Sequence, residues 1–277
     1  MSSPFDDERL AFGTRHDKGS LVEGILAPCG LRVVEVPIDT DRLGTFTPER
    51  PRRHDEIRTA AIKASRASRR IRSRLGLGSE GTFRPHPAAP SLSINIETLV
   101  LRDRPTRTLI VEREVSTTTA PRQAMIGAEH PLASLLEEIG FPSQGIVLSA
   151  PSSSCVQIKG IADHHALAEA IAQLGAGPDG EGLLVTTDLR AHLCPARQLV
   201  IARCAKRLAK RLSTPCPSCH SPGFGVIGSI PGLPCSACSA PTAQPRAQSL
   251  ACPWCGNQSE HIIEAAADPS QCPRCNP

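Results

Sequence analysis

The sequence predicts an α/β protein in which a mixed sheet is flanked by helices, followed by a small cysteine-rich module. Three observations carry that prediction. Short β-branched runs alternate with helical patterns through the first 212 residues, the signature of strands covered by helices. A long amphipathic run, Pro195–Leu212, then closes that region. Eight of the twelve cysteines follow it, in four C-x-x-C pairs. The expected division is therefore residues 1–212, an α/β domain that binds a ligand or catalyses, and 213–277, a metal-binding tail.

The elements can be justified in order. Arg9–Thr14 (RLAFGT) reads as a short strand, and Ser20 as the cap of a short helix, SLVEGILAP. LRVVEVPI, Leu31–Ile38, is β-branched and bounded by a turn, hence a buried strand. Asp55 is an N-cap for a helix reaching about Leu75, with Ile57, Ala61, Ala64, Ile71 and Leu75 on one face. GLGSEGTFRPHP, 76–87, reads as a glycine- and proline-stiffened turn carrying an acid, a hydroxyl and a histidine. SINIETLVLRD and RTLIVEREV follow as a β-hairpin. QGIVLSA, VQIKGI and LLVTTDLR are further strands, and Asp163 caps a helix carrying Leu167, Ile171 and Leu174. The final helix sets Ile201, Ala205, Leu208 and Leu212 opposite Arg203, Lys206, Arg207 and Lys210.

Composition narrows the function. There is no Tyr and one Trp, which weakens base-stacking modes of nucleic-acid binding. The start, MSSPFDDERLAFG, lacks the pattern of a signal peptide, and there are no eighteen consecutive apolar residues. The expectation is a soluble, cytoplasmic protein with no membrane partner. Net charge is +4; from Ser213 onward the basic residues are Arg246 and Arg274, against Glu260, Glu264 and Asp268.

The pairs are Cys216/Cys219, Cys235/Cys238, Cys252/Cys255 and Cys272/Cys275. Two thiolates at this spacing fold back on one cation, and two such knuckles complete a tetrahedron, so the tail reads as a zinc-ribbon-like module with two structural zinc sites. Reduced thiols in the cytosol argue against disulfides. Loop-closure entropy favours sequential pairing, first knuckle with second and third with fourth, with a cross-braced arrangement as the alternative. Eight cysteines leave no vacancy for His220 or His261. Each four-thiolate site adds about −2 of charge, so the tail fits docking onto the first domain or onto a protein partner; that charge and the missing aromatics also count against nucleic-acid binding through the basic helices, and nucleic acid is not an expected partner of the chain.

In the first domain the ionisable residues gather where strands stop. They are Arg15, His16 and Lys18; Asp39 and Asp41; Ser79, Glu80, Thr82 and His86; Lys159; and Asp188, Arg190, His192 and Arg197. Ligands of open α/β sheets bind beyond the carboxyl ends of strands, and cations beside a helix N-terminus favour anions. The catalytic expectation is Mg²⁺-assisted hydrolysis or transfer at a phosphate of a nucleotide-like small molecule. Glu80 with Asp39 or Asp41 would hold Mg²⁺, and Lys18, Arg15 and Arg190 would neutralise phosphate. His16, His86 or His192 would be the general acid/base. Lys159 joins the phosphate-binding candidates. The rival expectation is a non-enzymatic adaptor whose α/β domain binds a small anion and whose zinc tail docks a protein.

TRHDKGS, DTDRLGTF, AAIKAS, SEGTFRPHP, TDLRAHLCPAR, the GLPC knuckle and the terminal CPRCNP together resemble a bacterial family defined by a domain of unknown function, number 6671, over nearly the whole chain. The chain departs from that pattern at Asp17 and Gly19 beside the lysine, at Arg84 and at Pro48. In layout alone the first domain is similar to the inosine-triphosphate pyrophosphatase and Maf group. That resemblance implies Thr14 and Lys18 at phosphate, Glu80 as a metal ligand, and Arg197 near phosphate on the last helix.

Overall fold

The computed structural model describes residues 5–14, 18–38, 54–119, 121–127, 129–150, 156–177 and 179–277. Arg15, His16, Asp39 and Asp41 lie outside the described residues. The expected mixed sheet is a five-stranded one of order β2-β1-β3-β4-β5. Its strands are β1 (Glu8–Thr14), β2 (Leu31–Pro37), β3 (Leu75–His86), β4 (Ala89–Asp103) and β5 (Leu109–Ser116). β1 runs parallel to both β2 and β3, while β3, β4 and β5 form an antiparallel meander.

Helix α1 (Gly19–Leu26) carries the chain from β1 to β2, and α2 (Glu56–Arg70) carries it from β2 to β3. Strand alternation then assigns the two faces. Leu10 and Phe12 of β1, Leu75 and Leu77 of β3, and Leu99 and Leu101 of β4 pack on α1 and on α5 (Pro195–Leu212). Ala11, Val36 and Val100 face the alanine-rich side of α2. Asp55 caps α2 as expected, accepting from the Arg58 amide at 2.7 Å. Lys18, rather than Ser20, occupies the N-cap position of α1, without a side-chain cap.

The stretch GLGSEGTFRPHP is not a turn. It forms nearly all of β3, the longest partner of β1's carboxyl end. Its glycines serve close packing instead of chain reversal. A Cβ on Gly76 would fall 2.2 Å from the Ala64 carbonyl oxygen, and one on Gly78 would fall 1.9 Å from that of Ala60. α2 thus rests directly on bare backbone. Because β1 ends at Thr14 while β3 runs on to His86, Ser79 stands level with the last residue of β1 and Glu80 just beyond it.

A second, four-stranded antiparallel sheet of order β6-β9-β7-β8 lies beside the first. It comprises β6 (Gln123–Met125), β7 (Ile146–Ser149), β8 (Gln157–Ile161) and β9 (Leu184–Thr187). With α3 (Leu132–Ile139) and α4 (His164–Gln173) it encloses its own core around Ile146, Leu148, Leu167, Ile171 and Val185. Asp163 caps α4 on the Ala166 amide. Last comes the three-stranded antiparallel sheet β10 (Gly225–Pro231), β11 (Pro245–Ala251) and β12 (Gln258–Ile262). No helix of the described residues is long and apolar enough to cross a membrane.

Candidate metal centres and a buried charge cluster

The cysteines gather as two four-thiol clusters, Cys216/Cys219/Cys252/Cys255 and Cys235/Cys238/Cys272/Cys275. The knuckles therefore alternate, first with third and second with fourth, which corrects the sequential pairing expected from loop entropy. The strands decide it. Gly225 at the start of β10 pairs with Ala251 at the end of β11, which pairs with Gln258 at the start of β12. Knuckles before β10 and between β11 and β12 consequently share one end of the sheet, and the other two share the opposite end. Seven-residue strands hold those ends roughly 20 Å apart, a separation that short loops cannot close.

Each cluster fits a tetrahedral cation. Four sulfurs around an ion at about 2.3 Å stand roughly 3.8 Å apart. The observed separations are 3.8 Å for Cys216–Cys255, 3.6 Å for Cys219–Cys252, 3.9 Å for Cys235–Cys275 and 3.7 Å for Cys238–Cys272. Backbone amides already support the sulfurs: Ser218 N–H donates to Cys216 Sγ and Trp254 N–H to Cys252 Sγ, each at 3.4 Å. Hydrogen bonds from Ser221 draw the Cys219 thiol down to about 6, while hydrogen bonding with Cys238 pushes Cys275 up to about 12. Crowded thiols sharing protons in this way are what a cation would replace. After three knuckles the chain turns through a left-handed residue, His220, Ser239 and Gly256. His220 thus serves the turn.

The first cluster is braced against the five-stranded sheet. Arg211, in the last turn of α5, donates from Nε to the Gly223 carbonyl at 3.0 Å. Its Nη1 donates to the Val111 carbonyl and to Glu112 Oε1. Trp254 Nε1 donates to the Pro222 carbonyl at 2.7 Å.

A different group of polar residues is buried at the other end of α5. Lys18 Nζ donates to Ser79 Oγ at 3.1 Å. On the opposite face of β3, Lys63 of α2 pairs with Glu80 Oε2 and donates to the Ser79 carbonyl at 3.2 Å. Arg197, 1% exposed, lies across Gly81. It donates from Nε to Glu97 Oε1 at 2.6 Å and from Nη1 to the Leu189 carbonyl at 2.6 Å. Asn95 Nδ2 donates to the same Glu97 oxygen at 3.0 Å, and Asn95 Oδ1 is buried with no partner among the described residues. Two of the three cations are therefore each matched to a carboxylate. Among the described residues Lys18 is matched to a hydroxyl alone. Burial first, and then the Arg197 charge, lower its ammonium to about 7.

The cluster occupies a topological switch point. From β1 the chain moves to β2 on one side, and from β3 it moves to β4 on the other. In open α/β sheets the crevice between two such strands, at the carboxyl end, is where ligands sit. Thr14 is buried at that end of β1. Of the expected site residues, Thr14, Lys18, Glu80 and Arg197 belong here. Others stand elsewhere. His86 ends β3, six residues beyond Glu80, and accepts from the Ala88 amide. Arg190 turns back onto Asp188, whose carboxylate also accepts from the Gly160 amide; hydrogen bonds from Arg190 hold that carboxyl low. Lys159 is exposed on β8, and His192 is exposed in the short helical turn Ala191–Leu193.

Lys63 and Glu97 are members that sequence reasoning missed. Glu97 stands in an otherwise apolar strand, INIETLVL, and Lys63 between alanines in AAIKAS. A single charge inside an apolar run was the available signal.

No curated protein and no solved structure matches the chain. Residues 63–277 match the family described as a domain of unknown function, DUF6671, and so include both cysteine clusters, Lys63, Glu80, Glu97 and Arg197. The chain belongs to the DUF6671 family.

Proposed function

We propose that the α/β domain binds a small phosphate-bearing molecule at the β1/β3 switch point, and that the C-terminal module holds two structural zinc ions. The observation that carries the first part is the unbalanced Lys18. A buried ammonium bonded to a neutral hydroxyl costs free energy unless an anion joins it. Here the neighbouring carboxylates are already engaged by Lys63 and Arg197. The N-terminal dipole of α1, whose N-cap position Lys18 occupies, adds potential of the same sign. Asn95 Oδ1 offers an acceptor to an N–H or O–H donor of the ligand.

Zinc follows from all-thiolate donors at tetrahedral spacing with no open position, which makes the sites structural rather than catalytic. The brace through Arg211 supports a module that docks on its own α/β domain.

A hydrolytic reading adds Mg²⁺ held by Glu80. It requires Lys63 to release one Glu80 oxygen when metal and phosphate enter. One experiment addresses both readings. The zinc-loaded protein is titrated with phosphate, pyrophosphate and a nucleoside triphosphate panel, with and without Mg²⁺, while released phosphate is assayed. Binding lost in Lys18→Met supports the anion site. Turnover lost in Glu80→Gln supports chemistry at it. Absence of binding to every member of the panel would end the proposal.

A further inference from the structure

The far end of the five-stranded sheet carries a second, unrelated feature. There the chain leaves α2 as RRIRSR and turns from β4 to β5 as RDRPTR. The sheet brings these two segments together. Leu75 pairs with Asp103, and the Arg104 amide donates to the Arg74 carbonyl at 3.0 Å. Arg69, Arg70, Arg72, Arg104 and Arg107 are exposed, and Arg102 is half-buried. Among the described residues none of these six is in an ion pair.

Asp103 is buried and taken by Arg74 at 2.7 Å, with Thr106 also donating to it. Asp6, Asp7 and Glu8 stand at the start of β1, where Asp7 lies 3.8 Å from Arg32. With Arg9, Arg32 and Arg74 included, the described residues at this end comprise nine arginines and four carboxylates.

Backbone conformation adds a separate observation. Arg72 has φ +54° and Arg107 φ +62°, in the left-handed region where glycine or asparagine sits without cost and a longer side chain is strained. Arginine therefore stands at both tight turns against the local preference. A merely solvated turn does not require it.

We infer that this arginine-lined end binds the phosphate backbone of a nucleic-acid duplex, without reading bases. Guanidinium forks match phosphate oxygens in bidentate fashion, and closely spaced phosphates reward a closely spaced array of them. Neither RRIRSR nor RDRPTR contains an aromatic residue, which disfavours single strands, whose binding leans on stacking. The surface lies opposite the Lys18 site, and the first thiolate cluster adjoins it where Gly223 packs on Ile110 at the start of β5.

The test uses the full-length zinc-loaded chain and a labelled DNA duplex, followed by fluorescence anisotropy across a salt series. Binding should appear at low salt and weaken with a slope of about −0.9 per phosphate contact, roughly −5 for six. The double variant R72G/R107G removes two charges and relieves two left-handed residues. It should keep or raise the melting temperature while reducing the magnitude of the slope by about 2. No binding at about 50 mM salt would overturn the inference. So would an unchanged slope in the variant, or tighter binding to phosphatidylserine vesicles than to the duplex.

Discussion

Lys18 and Ser79 are 61 residues apart in the chain, yet the Lys18 ammonium donates to the Ser79 hydroxyl in a fully buried contact across the β1/β3 switch point. No carboxylate of the described residues shares that bond, so removing the charge should cost the fold little. Lys18→Met is expected to fold with unchanged or higher stability and to lose phosphate affinity by roughly 10- to 100-fold. Calorimetric titration alongside denaturant unfolding reads both.

The same lysine predicts a pH dependence of stability. Its folded value is lowered from 10.5 to about 7, so between those values the unfolded chain binds more protons than the native one. Stability of the ligand-free protein should accordingly rise as pH increases from about 7. Below that point the lysine is charged in both states and the burial cost is at its full value. The stability advantage of Lys18→Met over the parent should be largest at low pH and shrink as pH rises. A constant gap would contradict the assignment.

Arg197 and Glu97 form a buried pair in which both side chains are 2% exposed. Either single change, Arg197→Met or Glu97→Gln, leaves a buried group uncompensated and should cost about 3–5 kcal/mol. The double variant should cost less than the sum of the two. A denaturant double-mutant cycle measures the difference.

Two glycines in otherwise regular structure should respond oppositely to alanine. Gly78→Ala drives a methyl into the Ala60 carbonyl and should destabilise by more than about 2 kcal/mol. Gly24→Ala, in α1 with open space beside it, should stabilise by about 0.5–1 kcal/mol. Thermal melting of both variants checks the pair.

The C-terminal module should bind about two zinc ions per chain, one for each four-cysteine cluster. Replacing Cys216 and Cys219 by serine should free Cys252 and Cys255 for alkylation and leave Cys235, Cys238, Cys272 and Cys275 protected. Protection mapped by mass spectrometry distinguishes this from sequential pairing.

How much of this was legible in the sequence differs from feature to feature. The caps Asp55 and Asp163 and both ends of α5 could be read, because each is set by local chemistry. The eight cysteines were equally plain. Their pairing was not, because strand direction rather than loop length decides which knuckles meet. GLGSEG was misread as a turn because glycine that admits a helix backbone looks, in one dimension, like glycine that reverses a chain. Glu97 and Lys63 escaped notice because their partners lie 100 and 17 residues away.

The most direct measurement is proton uptake when inorganic phosphate binds at pH 8, read by calorimetry in buffers of different ionisation enthalpy. If the arriving anion restores the charge on the buried amine, close to one proton should enter with each phosphate in the parent protein and none in Lys18→Met. Phosphate binding of equal strength and equal proton count in the two proteins would place the anion somewhere else.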